Sequence, residues 1–197
     1  MTGIILASGS ASRRALLSGA GVSAESIKPN VDEDAAKRTM RGDDLGVRDQ
    51  AMQLAEMKAV KVSASKPGLV IGGDQMLNLD GEAFDKPVDL SAAATHLRKL
   101  SGKTHTLETA IVIAENGRPI WRHLARPKLT VRQLSDAFIN EYVEACGQVL
   151  LSTVGAYQLE GPGAQLFTKI EGDYFSILGL PLLPLLEYLR VRGVLSS

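Results

Sequence analysis

The chain has almost nothing from which to build a disulfide framework. Its single cysteine, Cys146, cannot form an internal bridge, so nothing points to an oxidising compartment. An excess of either charge is missing as well. Twenty-two Lys and Arg balance 22 Asp and Glu, whereas holding a long phosphate backbone rests on many basic contacts. Aromatic residues are scarce at 5% and form no stripe interleaved with basic side chains, which weighs against a nucleic-acid-binding module. Any anion site must be local.

Long hydrophobic runs are absent too. Ile4-Ile5-Leu6 is far shorter than the roughly 7–15 apolar residues of a signal peptide, and no cationic region precedes it. Near the other end, "GLPLLPLLEYLRVRG" is interrupted by Pro181, Pro184, Glu187 and Arg190, well short of the ~20 residues of a membrane span. The expectation is a cytoplasmic protein with a buried terminal helix and no membrane partner. Repeats, low-complexity tracts and linkers are not found. Three motif classes also fail: "SGKT" at 101–104 has Leu97 where a Walker A loop needs glycine, no Gly-X-Ser-X-Gly elbow occurs, and His96, His105 and His123 show no metal-ligand spacing with Cys146.

What remains is 197 residues, 45% of them hydrophobic, enough for a real core in one domain covering 1–197. Strand and helix patterns alternate. Ile4–Leu6 and Leu69–Ile71 are strand candidates, Met76–Leu79 with Asp80-Gly81 is one arm of a hairpin, and Thr106–Ala114 with Ile120–Val131 is a second hairpin about Asn116-Gly117. Helices are expected from Arg13 to Ser18, from Asp44 to Ser65, from a cap at Ser91 to Leu100, and from a cap at Ser135 to Ala145. Asp32-Glu33-Asp34 is expected in an acidic loop. The pattern predicts an α/β fold, a mixed twisted sheet with flanking helices and two lobes around a central cleft.

Three stretches carry chemistry. In "LASGSASRRALL" (6–17) a strand turns directly into a helix, whose first N–H groups and dipole make a ready anion site. Ser8, Ser10 and Ser12 add hydroxyls, Gly9 allows close approach, and Arg13 and Arg14 offer charged forks. A turn with solvated arginines is the plainer alternative. Lys58 shares the helical stripe of Val47, Ala51, Leu54 and Val62, so it either snorkels past the core edge or points into an anion-holding cleft. In "LVIGGDQ" two glycines follow an apolar strand and set Asp74 and Gln75 at its carboxyl end, the usual address of ligand chemistry in α/β proteins, unless this is only a charged turn. Lys86-Pro87 follows the hairpin. Glu33 and Asp74 together would form a carboxylate pair able to hold a divalent metal or activate water.

These residues, with "VDE" at 31–33, "DKP" at 85–87, "LSGKTHT" at 100–106, "GAYQLEG" at 155–161 and "IEGDYFSILGLPL" at 170–182, resemble the Maf family of nucleoside triphosphate pyrophosphatases from about Ile4 to Arg190. The resemblance implies a Maf/inosine triphosphatase-like fold and an intracellular enzyme that splits a nucleoside triphosphate into monophosphate and pyrophosphate with Mg²⁺ or Mn²⁺. The family is also linked to septum formation. Carried onto this chain, Asp74 would be the proton acceptor and, with Glu33, lie at the metal. Ser8, Arg13, Lys58 and Lys86, joined by Arg14, would line the triphosphate.

Asp74-Gln75 and Glu160-Gly161 match the family branch acting on 7-methyl-GTP, and Glu160 can accept two hydrogen bonds from guanine. Ser12 stands where the resemblance leads one to expect Trp in the guanine branch and Arg in the pyrimidine branch, so a stacking surface is missing there. The alternatives are a dTTP- and UTP-preferring pyrophosphatase of the same family, or a nucleotide-sensing regulator of septum formation with incidental hydrolysis. The family and the apolar carboxyl-terminal third also admit a homodimer.

Overall fold

The computed structural model describes residues 3–196. In chain order the regular elements are β1 (Ile4–Ala7), α1 (Ala11–Gly19), β2 (Glu25–Ser26), α2 (Glu33–Gly42), α3 (Val47–Ser63), β3 (Leu69–Leu79), β4 (Glu82–Phe84), α4 (Leu90–Leu100), β5 (Thr104–Glu115) and β6 (Arg118–Ala125). Then come β7 (Lys128–Val131), α5 (Asp136–Cys146), β8 (Phe167–Glu171), α6 (Tyr174–Ile177) and α7 (Leu182–Val191), with 3-10 turns at Gly147–Ser152 and Pro162–Leu166. The expected mixed α/β sheet with flanking helices is present. The described residues fall into two compact units. One draws on Met1–Gln75, Thr109–Ala125 and Asp173–Ser197, the other on Met76–Glu108 and Arg126–Gly172.

In the first unit the strand order is β2-β1-β3-β5, with β6 antiparallel to β5. β1 lies parallel to both β2 and β3, and Ala7 pairs with Gly72. Strands covered on both faces should be apolar without alternation, and Ile5-Leu6-Ala7 and Leu69-Val70-Ile71 are. Leu6, Leu69 and Ile71 join Leu17, Ile111, Ile113 and the α7 residues Leu182, Leu185 and Leu189 in one cluster. Ile5, Ala7 and Val70 pack with Val62 of α3 in another. No helix among the described residues is long and apolar enough to cross a membrane.

The second unit pairs the end of β3 with β4, Leu77 opposite Phe84, and runs β5, β7 and β8 antiparallel through Leu129↔His105 and Leu129↔Ile170. α4 and α5 pack together, and Arg98 Nε donates to Asp136 Oδ1 at 2.7 Å.

Several local expectations are corrected. Residues 32–34 are not a loop: Asp32 caps α2, its Oδ1 accepting from Ala35 N at 2.9 Å, and Glu33 and Asp34 fill the first turn. The strand candidates at 69–71 and 76–79 are one continuous β3, because the glycines between them serve packing rather than a turn. The segment 120–131 divides at Arg126-Pro127 into β6 and β7, proline having no N–H for a ladder. α4 is capped by Asp89 rather than Ser91.

Candidate active site

Asp74, Lys58, Glu33, Arg13 and Ser8 come together in the first unit, and packing explains why. A Cβ at Gly72 would run into the carbonyl of Ala55 and lie 2.6 Å from Ala59 N, so only glycine lets α3 sit directly on β3. That contact sets Lys58, next to Ala59, against Asp74, two residues after Gly72. At Gly73 the missing Cβ leaves room for Arg13, whose Nε would be 3.1 Å from it.

Asp74 therefore does not close a strand, as the sequence suggested, but lies within β3. What ends here is the shorter parallel neighbour β1, which pairs through Ala7 with Gly72 and turns at once into α1. The site address expected at a strand end is supplied by β1.

Lys58 is buried, 6% exposed, and its ammonium is shared by two carboxylates: Asp74 Oδ1 at 2.7 Å and Glu33 Oε2 at 3.0 Å. Asp74 is also buried, while the Glu33 side chain is 41% exposed on the first turn of α2. Among the described residues no group of three or more His, Cys, Asp or Glu side chains could hold a metal ion. The pair of carboxylates expected from the sequence is present, with a lysine between them.

The turn before α1 is internally braced. Ser10 caps the helix, its Oγ accepting from Arg13 N at 3.4 Å and meeting Ser12 Oγ at 2.9 Å. Ser8 Oγ accepts from Ser10 N at 3.2 Å and from Arg13 Nη1 at 3.3 Å. A hydroxyl has two acceptor positions and one donor. Both acceptor positions of Ser8 are used, which leaves its O–H to donate. Arg13 Nε donates to Gly179 O at 2.7 Å, tying α1 to the loop between α6 and α7. Burial lowers the pKa of Arg13, and the charges of Asp74 and then Glu33 oppose that effect. Arg14 faces elsewhere: it is exposed and borders a hollow of about 280 Å³ with Leu17, Ser18, Val22 and Ser23.

Gln75 is anchored within the first unit through its amide nitrogen. Its Nε2 donates to Thr109 Oγ1 at 2.8 Å and to the carbonyls of Ser176 at 2.9 Å and Ile177 at 3.1 Å. The amide nitrogen is thereby committed to β5 and α6. Thr109 and Ser176 were not singled out from the sequence, although Ser176 lies within the quoted stretch 170–182; Thr109 Oγ1 also donates to Ser176 O at 3.0 Å.

Lys86 and Glu160 belong to the second unit, and both are exposed, Lys86 just after β4 and Glu160 in the turn before the second 3-10 segment. The three histidines are structural in their surroundings. His105 is buried and its Nε2 hydrogen-bonds Tyr157 Oη at 2.8 Å, His96 lies 5.0 Å from the Phe84 ring, and His123 stacks on Trp121 at 5.8 Å.

The family model described as Maf-like protein matches residues 3–192. A nucleoside triphosphate pyrophosphatase of Hyphomonas neptunium is 72% identical over 98% of both chains. One of Caulobacter vibrioides is 53% identical over 100% of this chain and 98% of its own. A 7-methyl-GTP pyrophosphatase of Mesorhizobium japonicum is 48% identical over 98% of both.

Proposed function

Because the chain belongs to the Maf family, we propose that it is a nucleoside triphosphate pyrophosphatase, hydrolysing its substrate to the monophosphate and pyrophosphate. The observation that carries this reading is the buried Lys58 ammonium shared by Asp74 and Glu33, beside a serine-rich helix start that contains a buried arginine. A buried cation and two carboxylates are costly to assemble for stability alone.

Asp74 is the proton acceptor for the water that attacks the α-phosphorus, and in the substrate-free structure Lys58 holds one of its two carboxylate oxygens. Ser8 donates its free O–H to a phosphate oxygen, the remaining N–H groups of Arg13 add a charged fork, and the first turn of α1 supplies its dipole. The family resemblance would also give Lys86 a role in holding phosphate. Arg14, on the outer side of α1, steers the anion inward. Glu33 and Asp74 would hold Mg²⁺ or Mn²⁺, since both carboxylates reach the same Lys58 ammonium and such ions take one or two carboxylates with phosphate oxygens and water. When bound, the ion neutralises charge on the triphosphate and polarises it toward attack.

For the base we assign Glu160, which accepts from the N1–H and exocyclic amine of guanine and whose charge favours a methylated, cationic ring. Ser12 offers no aromatic face for stacking, so recognition of the base rests on Glu160. The preferred substrate is therefore 7-methyl-GTP or another modified guanine nucleotide, and the enzyme clears such nucleotides from the cytoplasmic pool without a nucleic-acid or membrane partner.

The test is product analysis of purified protein with Mg²⁺ or Mn²⁺ and 7-methyl-GTP, GTP, UTP, dTTP and CTP, measuring pyrophosphate and orthophosphate separately. Pyrophosphate released fastest from 7-methyl-GTP is the expected result. Faster turnover of dTTP and UTP would overturn the base assignment alone. No pyrophosphate from any nucleotide would overturn the enzyme and favour a regulator of septum formation.

A further inference from the structure

The lysine between the two carboxylates has a consequence for the order in which the enzyme loads. Lys58 Nζ lies 2.7 Å from Asp74 Oδ1 and 3.0 Å from Glu33 Oε2. An ammonium on two carboxylates stands where a divalent cation held by the same oxygens would stand. Its root is fixed, because α3 rests on Gly72 with no Cβ between them. Its four-carbon stem is long and flexible, so the charged head can move while the helix stays in place. We propose that Lys58 is a resident counter-ion: it occupies the cation position between Glu33 and Asp74 in the substrate-free enzyme and yields it only when a metal–triphosphate complex arrives.

The physical reason is charge balance. A metal ion that came alone would have to push the ammonium out of a buried pair and leave it without a partner, which is expensive. A triphosphate that arrives with the metal offers the displaced ammonium anionic oxygens in exchange. The free enzyme therefore has little affinity for the metal by itself, and metal and nucleotide enter together. This inference rests on the pyrophosphatase reading for the identity of the anion; the competition between ammonium and metal does not depend on it.

The experiment titrates Mn²⁺ alone, without nucleotide, into the wild-type protein, Lys58→Met and Lys58→Gln, and follows free Mn²⁺ by electron paramagnetic resonance. Weak binding to the wild type is expected, with at least roughly tenfold tighter binding once the ammonium is gone. The gain should vanish in Lys58→Met/Glu33→Gln, which locates it at the carboxylates. A folded Lys58→Met or Lys58→Gln protein that binds Mn²⁺ no better than the wild type would overturn the proposal. Micromolar binding of Mn²⁺ to the nucleotide-free wild type would overturn it without recourse to any variant. Pyrophosphate release is measured on the same wild-type sample. Tighter Mn²⁺ binding by the Lys58 variants together with an inactive wild type would leave the counter-ion intact and remove the pyrophosphatase.

Discussion

Asp74 and Gly72 are two residues apart on β3 and fail in different ways when changed. Asp74→Asn keeps the size of the side chain and removes the proton acceptor, so pyrophosphate release should fall by about 10²–10⁴-fold, and leaving the buried Lys58 ammonium with Glu33 alone should also lower thermal stability. A variant that kept near-normal turnover would dismiss Asp74 from the chemistry. Gly72→Ala adds one carbon where the Ala55 carbonyl and Ala59 N already stand, Ala59 N at 2.6 Å. We expect about 3 kcal/mol of destabilisation from overpacking, read by urea unfolding, and a loss of activity as Lys58 is pushed away from Asp74. An unchanged unfolding midpoint would show that α3 can shift at no cost.

Among the elements, α2 matters because its first turn presents Glu33. Asp32 holds that turn by accepting from Ala35 N at 2.9 Å. Asp32→Ala should cost about 1 kcal/mol, a drop of about 2–4 °C in Tm for a chain of this size. It should also raise the Mn²⁺ concentration needed for half-maximal activity, as Glu33 loses its fixed position. A lower Tm with an unaltered metal requirement would separate the cap from the site. The cap could have been found in the sequence, since Asp followed by Glu and Asp is a common helix opening. Three consecutive acidic residues after an apolar run read instead as a loop.

For the whole molecule, acid stability should carry the signature of His105 in the second unit. Burial holds its pKa at about 4, against about 6.5 when unfolded. Between those values the unfolded chain binds a proton that the folded chain refuses, so stability falls as pH drops from about 6.5 to about 4. The total loss is about 3 kcal/mol, and it levels off below pH 4 as the folded form also takes up the proton. Urea unfolding at pH 7 and pH 4.5 should show this slope, and His105→Gln should flatten it while lowering stability at pH 7 through the altered contact with Tyr157. Equal slopes in the two proteins would mean that His105 does not govern the window.

Composition and local pattern were sufficient for the class of fold, and the resemblance of the motifs for the family. The apolar runs at 4–7 and 69–71, the stripe of α3 and the helix caps are local signals, and so are the motifs that name the residues of the site. Tertiary structure alone decided what those residues touch. That Lys58 bridges two carboxylates, that the Gln75 amide nitrogen braces Thr109 and Ser176, and that β3 runs unbroken through its glycines all depend on distant segments. The role of a glycine follows from what would collide with its missing Cβ, and the role of a buried amide follows from which oxygens lie within 3 Å. Neither fact is written in the residues on either side of it.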